Sequence, residues 1–377
     1  MRILVLSHEF PPVGGGGAKV IEDLCRGLTV RGHELQVLTT HLTGSPIIEQ
    51  KEKLSIRRIN CGRQVPYRAR FIEMLIFVIK GFFQGMGLIR SWQPDIIHVQ
   101  FAVPAGALGL ALSIFTGVPY FMTVHLGDVP GGAPEKTAGW FRWIYPFTPM
   151  IWRKAKRIVA VSEHTRQLAL RHYPVNVEVI RNSFDYPYSN PEEVQVGEPP
   201  QVIWAGRFVS EKNPIQVVRT LAELRDLDWT CVMIGDGPER SRVEQEIIGC
   251  GLQARFNTPG WVDQNTVMDW FAKSDVLFMP SLSEGLPIAG LQGLAMGLAI
   301  VATQVGGFVD LVEPLQNGFL VDNAYSDGFM EPLRTLLSDR VKLRTFRQAS
   351  FQVANRFDIQ VMIQSYNDLL GEIAQMN

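Results

Sequence analysis

The chain has 377 residues, 36 basic against 37 acidic side chains, and 46% hydrophobic residues. Its length exceeds one typical hydrophobic core and suits two domains, while the balanced charge leaves no electrostatic footprint for a nucleic acid. The hydrophobic share brings a lipid-facing patch into consideration. Cys25, Cys61, Cys231 and Cys250 stand too far apart for a zinc site or a disulfide framework, which fits a reducing cytoplasm.

Residues 1–6 are apolar but too short for a signal-peptide core, and they run into Ser7, His8, Glu9 and two prolines, so a first strand is expected. PPVGGGGA follows as a glycine-rich loop, and residues 19–30 set Ile21, Leu24, Cys25 and Leu28 on one helical face. ELQVLTT then reads as a parallel partner strand. Gly14 to Gly17 run consecutively, without the Gly-x-Gly-x-x-Gly spacing of a dinucleotide site. They permit close approach of a ligand to the backbone at a helix start, or they form only a flexible turn.

Residues 71–89 form a long apolar stretch interrupted by Glu73, Lys80, Gln84 and three glycines, so no spanning helix is expected. Flanked by Arg68, Arg70 and Arg90, the stretch is suited to lie on an anionic membrane surface. Residues 140–157, with Trp140, Trp143, Tyr145, Trp152, Arg153, Lys154, Lys156 and Arg157, mix aromatic and basic side chains as interfacial segments do. Both stretches read equally well as core helices of a first domain.

Strands are expected at 96–100, 119–124, 157–161 and 177–180, alternating with helical segments in a doubly wound α/β domain. His125 follows one of them directly, in TVHLGDVPGG, at the edge where parallel sheets bind ligands. Asp128 stands three residues on. A histidine in that place can also be a mere strand cap.

Residues 186–200 lack periodicity and read as a linker between an N-terminal domain, 1–185, and a C-terminal one, 201–357. The pattern restarts with QVIWAGRF, WTCVMIGDGPE and ARFNTPGWV, a second Rossmann-like domain. Arg207 and Lys212 stand just after its first strand, where two cations can neutralise a leaving diphosphate. Asp226 and Asp228 form an Asp-x-Asp at the amino end of a strand, the wrong edge for a ligand, and no metal site is expected.

Residues 276–279 are an unbroken apolar run halted by Pro280, as in a strand buried on both faces. A polar loop, 281–285, precedes a helical segment opened by Pro287, and residues 300–302 start another strand. Such a unit aims free N–H groups at whatever lies beyond the strand, and an anion fits there. Glu284, at the same mouth, would repel a bare phosphate but accept hydrogen bonds from sugar hydroxyls, so the best ligand carries both groups. The plainer alternative is an ordinary βαβ unit with a solvated loop carboxylate.

The segments PPVGGGGA, GRFVSEKNP, GDGPER, PGWV and SEGLP together resemble the retaining GT-B glycosyltransferases of the "glycosyl transferases group 1" type. The resemblance covers nearly the whole chain and is densest over residues 204–321. It implies two Rossmann-like, doubly wound parallel-sheet domains facing a central cleft, with a C-terminal helix, about 358–377, crossing back onto the first domain. It implies catalytic roles for His125, Glu284, Arg207 and Lys212. Donor contacts are implied for Gly15, Gly16, Val262, Gly285, Leu286, Pro287 and Gln292, and sugar or acceptor contacts for Asp128 and Asn182.

Three positions depart from the family pattern. Gln292 stands where a second Glu holds the donor ribose, and without charge its hydrogen bonds are weaker. Asp310 replaces a Glu after Gly306 and Gly307. Around Asn182, Arg181, Ser183 and Phe184 replace the other residues of Pro-Asn-Gly-Val.

As an activity, the resemblance implies metal-independent transfer of a hexose with retention, by front-face attack and without a cofactor. The donor is a UDP-sugar, UDP-glucose foremost, with a GDP-sugar left open. The acceptor is a saccharide or lipid-linked saccharide in polysaccharide or glycolipid synthesis, in the cytoplasm or peripherally on the inner face of the membrane. The rival is a glycosyltransferase-like binding or scaffold subunit that has lost catalysis, for which Gln292 and the altered Asn182 region speak.

Overall fold

The computed structural model describes residues 1–66, 69–132, 144–183, 194–325 and 327–375. Arg68, Trp140, Trp143, Phe184 and residues 186–193 of the expected linker lie outside the described residues. The chain divides into two compact units, Met1–Ser183 with Ile359–Asn377, and Phe184–Asp358.

The first unit is built on eight strands, β1 Arg2–Leu6, β2 Glu34–Leu42, β3 Ile48–Lys51, β4 Leu54–Arg63, β5 Ile96–Gln100, β6 Tyr120–Val124, β7 Ile158–Ala160 and β8 Glu178–Val179. Their order is β3-β4-β2-β1-β5-β6-β7-β8. Every pairing is parallel except the β3/β4 hairpin at one edge. Among the described residues the helices α1 Gly16–Val30, α2 Phe71–Trp92, α3 Ala107–Thr116, α4 Thr148–Lys154 and α5 Glu163–His172 connect them, and the C-terminal helix Ile359–Gln375 belongs to the same unit.

Alternation along the strands sorts the two faces of this sheet. Leu4, Leu6, Ile97, Val99, Met122 and Val124 enter an apolar core with Phe77 of α2 and Leu108 and Leu112 of α3. Helices α2 and α3 approach closely because Gly81 and Gly85 leave room: a Cβ on either would stand 2.7 Å from a methyl of Leu108 or Leu112. Those glycines, which break the apolar run in the sequence, are thus the packing seam of the helix. By length and composition α2 is long and apolar enough to cross a membrane, but here it buries Phe77, Gly81, Gly85, Leu88 and Ile89 within the unit.

Two differences from the expected elements have physical causes. Helix α1 begins at Gly16 rather than residue 19, with Gly15 as its N-cap, so two of the four glycines are helical. The β3/β4 hairpin has no counterpart among the expected strands, because its charged residues hide the alternation; pairing with β2 buries Leu54, Ile56, Ile59 and Cys61.

The second unit has six strands, β9 Gln201–Ala205, β10 Thr230–Ile234, β11 Phe256–Gly260, β12 Val276–Met279, β13 Ala299–Thr303 and β14 Gly318–Val321. Their order is β11-β10-β9-β12-β13-β14, all parallel. Among the described residues the α-helices that accompany them are α6 Pro214–Ala222, α7 Arg240–Gly249, α8 Gln264–Lys273, α9 Ile288–Ala295, α10 Phe308–Leu311, α11 Met330–Ser338 and α12 Arg340–Ala354. Strand β12 sits between β9 and β13 and is buried along its whole length, the reason for its unbroken apolar run. At the amino end of the sheet the buried Asp275 carboxylate accepts from the N–H groups of Gly197 and Gln201 and pairs with Arg347 at 2.5 Å, tying the residues before β9 to α12.

Candidate active site

Strands β9 and β12 are neighbours, so the loops leaving their carboxyl ends meet. After β9, Ser210–Lys212 make a single 3-10 turn, and the Leu282 N–H donates to the Glu211 carbonyl at 2.7 Å, joining that turn to the loop after β12. Lys212 Nζ lies 2.6 Å from Glu284 Oε2, and Ser281 Oγ donates to Glu284 Oε1 at 2.8 Å. Glu284 is 5% exposed. It is therefore no solvated loop carboxylate, but a buried anion held by one cation and one hydroxyl.

The backbone beyond Glu284 is packed against the loop after β13. Gly306 adopts φ +53°, and a Cβ there would lie 1.7 Å from the Glu284 carbonyl oxygen, so only glycine fits. The Gly307 N–H donates to the Gly285 carbonyl at 2.5 Å. Leu286 is buried, and Pro287 is the extended N-cap of α9, one residue outside the first turn where the sequence pattern places it. Gln292 follows in the second turn, 5% exposed. Asp310 is half-buried on α10.

Arg207, just past β9, is half-buried and has no ion pair among the described residues. Val262 lies just past β11 and packs in part on the core. The Asp-x-Asp is structural: Asp226 takes a two-pronged ion pair from Arg334 at 2.6 and 3.2 Å. Among the described residues no group of three or more His, Cys, Asp or Glu is gathered as a metal ion requires.

The other residues marked by the sequence belong to the first unit. Gly15 and Gly16 sit at the start of α1, where the Gly15 carbonyl accepts from Ala18 and Lys19. His125 is half-buried just past β6; Asp128 closes the turn after it, its buried carboxylate accepting from the His125 N–H at 2.8 Å. Asn182 is buried past β8, its N–H on the Val161 carbonyl.

The motif reading passes over the residues behind His125. Gln100 and Phe101 touch its ring, and a chain of polar contacts runs on from Gln100 through His98 and Thr123 to Tyr366. Phe101 stacks on His125 with centroids 4.2 Å apart and adopts φ +73°, a strained conformation for a bulky residue, worth roughly 1–3 kcal/mol. The signal was present in IIHVQF, where two polar residues at spacing two interrupt a buried apolar strand.

Two parallel, doubly wound sheets with charged and polar groups at their carboxyl ends make this a GT-B fold. The Glycosyltransferase Family 4 model matches residues 14–186 and the Glycosyl transferases group 1 model matches residues 189–353. The chain is 27% identical to the 2-deoxystreptamine glucosyltransferase of Streptomyces kanamyceticus, over 93% of this chain and 98% of that one. Its fold superposes on sucrose-phosphate synthase from Thermosynechococcus elongatus with a TM-score of 0.88 at 18% identity, covering 100% of both chains. Anabaena Alr3699/HepE in complex with UDP-glucose gives a TM-score of 0.76 at 19% identity, covering 99% of this chain and 100% of that one. The chain belongs to the group 1 glycosyltransferases.

Proposed function

We propose that the protein transfers a hexose, glucose from UDP-glucose foremost, to a saccharide or lipid-linked saccharide with retention at the anomeric carbon. The observation that carries this reading is the cluster of half-buried Lys212 with buried Glu284 and Ser281 at the carboxyl ends of β9 and β12. Glu284 accepts hydrogen bonds from hydroxyls of the transferred sugar, and Gln292 from those of the ribose. The bond from the anomeric carbon to the phosphate oxygen breaks with its electron pair going to the diphosphate. Arg207 and Lys212 meet that charge where it develops. The acceptor oxygen bonds to the same face of the sugar, and its proton passes to the departing phosphate oxygen. No step needs a metal, since the two cations serve the diphosphate.

UDP as the nucleotide is supported by the UDP-glucose bound to the HepE relative; a GDP-sugar is the alternative donor. The test is a panel of labelled nucleotide sugars with and without chelator, the anomeric configuration of the product being read by NMR. Chelator-resistant transfer from UDP-glucose with retention supports the reading. Inversion, a strict need for a divalent ion, or preference for a GDP-sugar would overturn the corresponding part, and binding without turnover would leave the impaired-subunit reading instead.

Peripheral attachment to an anionic membrane face belongs to the same proposal. Helix α2 packs on α3 and α3 on α4, and the three expose Ile72, Leu75, Ile79, Phe83, Ile114, Phe115 and Met150. The acidic residue on these helices is Glu73, which is buried, whereas Lys80, Arg90, Arg153 and Lys154 are exposed. Exposed apolar side chains and exposed cations on the same helices fit the boundary of an anionic bilayer. The four cysteines carry free thiols, which fits the cytoplasmic side.

A further inference from the structure

Two anchored stretches of backbone set where Lys212 and Glu284 stand. The turn Ser210–Lys212 is tied to the loop after β12 by the Leu282 N–H, which donates to the Glu211 carbonyl at 2.7 Å. Just past the turn Asn213 adopts φ +47°, and its side-chain N–H donates to the Ala324 carbonyl at 2.9 Å. On the other side Gly306 packs on the Glu284 carbonyl, and the Gly307 N–H donates to the Gly285 carbonyl. Between these anchors Lys212 Nζ meets Glu284 Oε2 at 2.6 Å. The buried Ser281 hydroxyl donates to the other oxygen of Glu284 at 2.8 Å, which fixes the plane of the carboxylate.

This closeness has an electrostatic consequence. An ammonium is a compact charge with three N–H donors, so it can bond a carboxylate and a phosphate together. A phosphate oxygen bonded to Lys212 Nζ at about 2.8 Å would stand no more than about 5.4 Å from Glu284 Oε2. Glu284 is 5% exposed, so little water screens two anions at that separation. The carboxylate therefore offsets part of the lysine's attraction for a diphosphate. Hydroxyls donating to Glu284 reverse this, because they satisfy the carboxylate in place of the lysine.

We propose that the Lys212–Glu284 pair makes the site select the sugar-loaded nucleotide over its own diphosphate product. With the sugar in place, its hydroxyls occupy Glu284, and the Lys212 charge turns to the diphosphate. Once the sugar has left on the acceptor, Glu284 draws Lys212 back, and the grip on the diphosphate loosens. The linkage is reciprocal: whatever sugar binding adds to the hold on phosphate, phosphate binding adds to the hold on sugar. The inference rests on the reading of Lys212 as a ligand of the diphosphate and Glu284 as a ligand of the sugar. It adds that the two oppose each other once the sugar is gone.

The experiment is calorimetric titration of UDP into the parent chain and into Glu284→Gln and Lys212→Ala variants, at neutral pH and without acceptor. GDP takes the place of UDP if the parent binds only GDP. Glu284→Gln should bind the diphosphate about tenfold tighter than the parent, on the scale of one charge-assisted hydrogen bond, and Lys212→Ala about tenfold weaker. A loosened loop would weaken binding, so a merely structural Glu284 could not produce the gain. Glu284→Ala should shift binding in the same direction, and it decides if the glutamine variant fails to fold. Equal or weaker binding in the Glu284 variants, with Lys212→Ala still weakened, overturns the selection and leaves Lys212 a ligand of phosphate. If Lys212→Ala binds the diphosphate as the parent does, or the parent binds neither diphosphate, the donor-site reading falls and the inference with it.

Discussion

Lys212 Nζ lies 2.6 Å from Glu284 Oε2, so the cation proposed for the diphosphate and the carboxylate proposed for the sugar hold each other. Removing either therefore has two effects. Lys212→Ala leaves Glu284 buried with Ser281 as its hydrogen-bond donor, an uncompensated charge that costs on the order of 2–3 kcal/mol. Transfer should fall by roughly 10² to 10³. Adding Glu284→Gln should restore much of the stability and none of the activity, which denaturant unfolding beside a transfer assay would show. A Lys212→Ala chain as stable as the parent would mean that the pair carries no stability.

Arg207 gives the contrasting case. Having no ion pair among the described residues to lose, it should tolerate Arg207→Ala within about 0.5 kcal/mol of the parent. Transfer should still drop by roughly 10² to 10³ if the guanidinium meets the leaving diphosphate. Unchanged kcat/KM would remove Arg207 from the site.

If Gln292 holds the ribose, Gln292→Glu should tighten the complex with UDP as well as with UDP-glucose, because a carboxylate forms charge-assisted bonds to both ribose hydroxyls, each worth about 1.5–3 kcal/mol against roughly 1 for a neutral bond. At 5% exposure the new charge must be desolvated, which trims the gain. Calorimetry with UDP alone reads this directly. Weaker or unchanged binding would show a site built around the glutamine.

Acid should weaken the fold through His98. Its folded pKa of about 3 lies below the ordinary value of 6.5, because burial disfavours the charged ring. Between those values the unfolded chain binds a proton that the native chain does not. The stability from the neutral ring is therefore complete above pH 6.5 and is lost as pH falls toward 3, by about 1.4 kcal/mol per unit. Unfolding midpoints measured from neutral pH into the acid range should slope less in His98→Gln than in the parent; equal slopes would mean that His98 is protonated in the native state.

Vesicles test the exposed helical face. Binding should require anionic lipid, weaken as salt rises, and drop sharply in a Leu75→Ser, Ile79→Ser, Phe83→Ser triple variant, each of these side chains being exposed. Equal sedimentation with neutral and anionic vesicles would refute attachment by this face.

Local pattern determined a good part of this protein. The unbroken apolar run at 276–279 and the apolar face of α1 with Ile21, Leu24, Cys25 and Leu28 were readable because period and punctuation are properties of neighbouring residues. Motifs likewise marked His125, Arg207, Lys212, Glu284 and Gln292 as the groups to watch. Tertiary structure decided what those groups touch. Lys212 reaches Glu284 because parallel pairing makes β9 and β12 neighbours, a relation no local period encodes. The hairpin of β3 and β4 became strands only through an apolar partner in β2. Tyr366, at a sequence separation of 243 from Thr123, joins the polar chain behind His125 only because the last helix belongs to the first unit. A side chain's partners depend on long-range packing, and its own sequence neighbourhood records only the face on which it will lie.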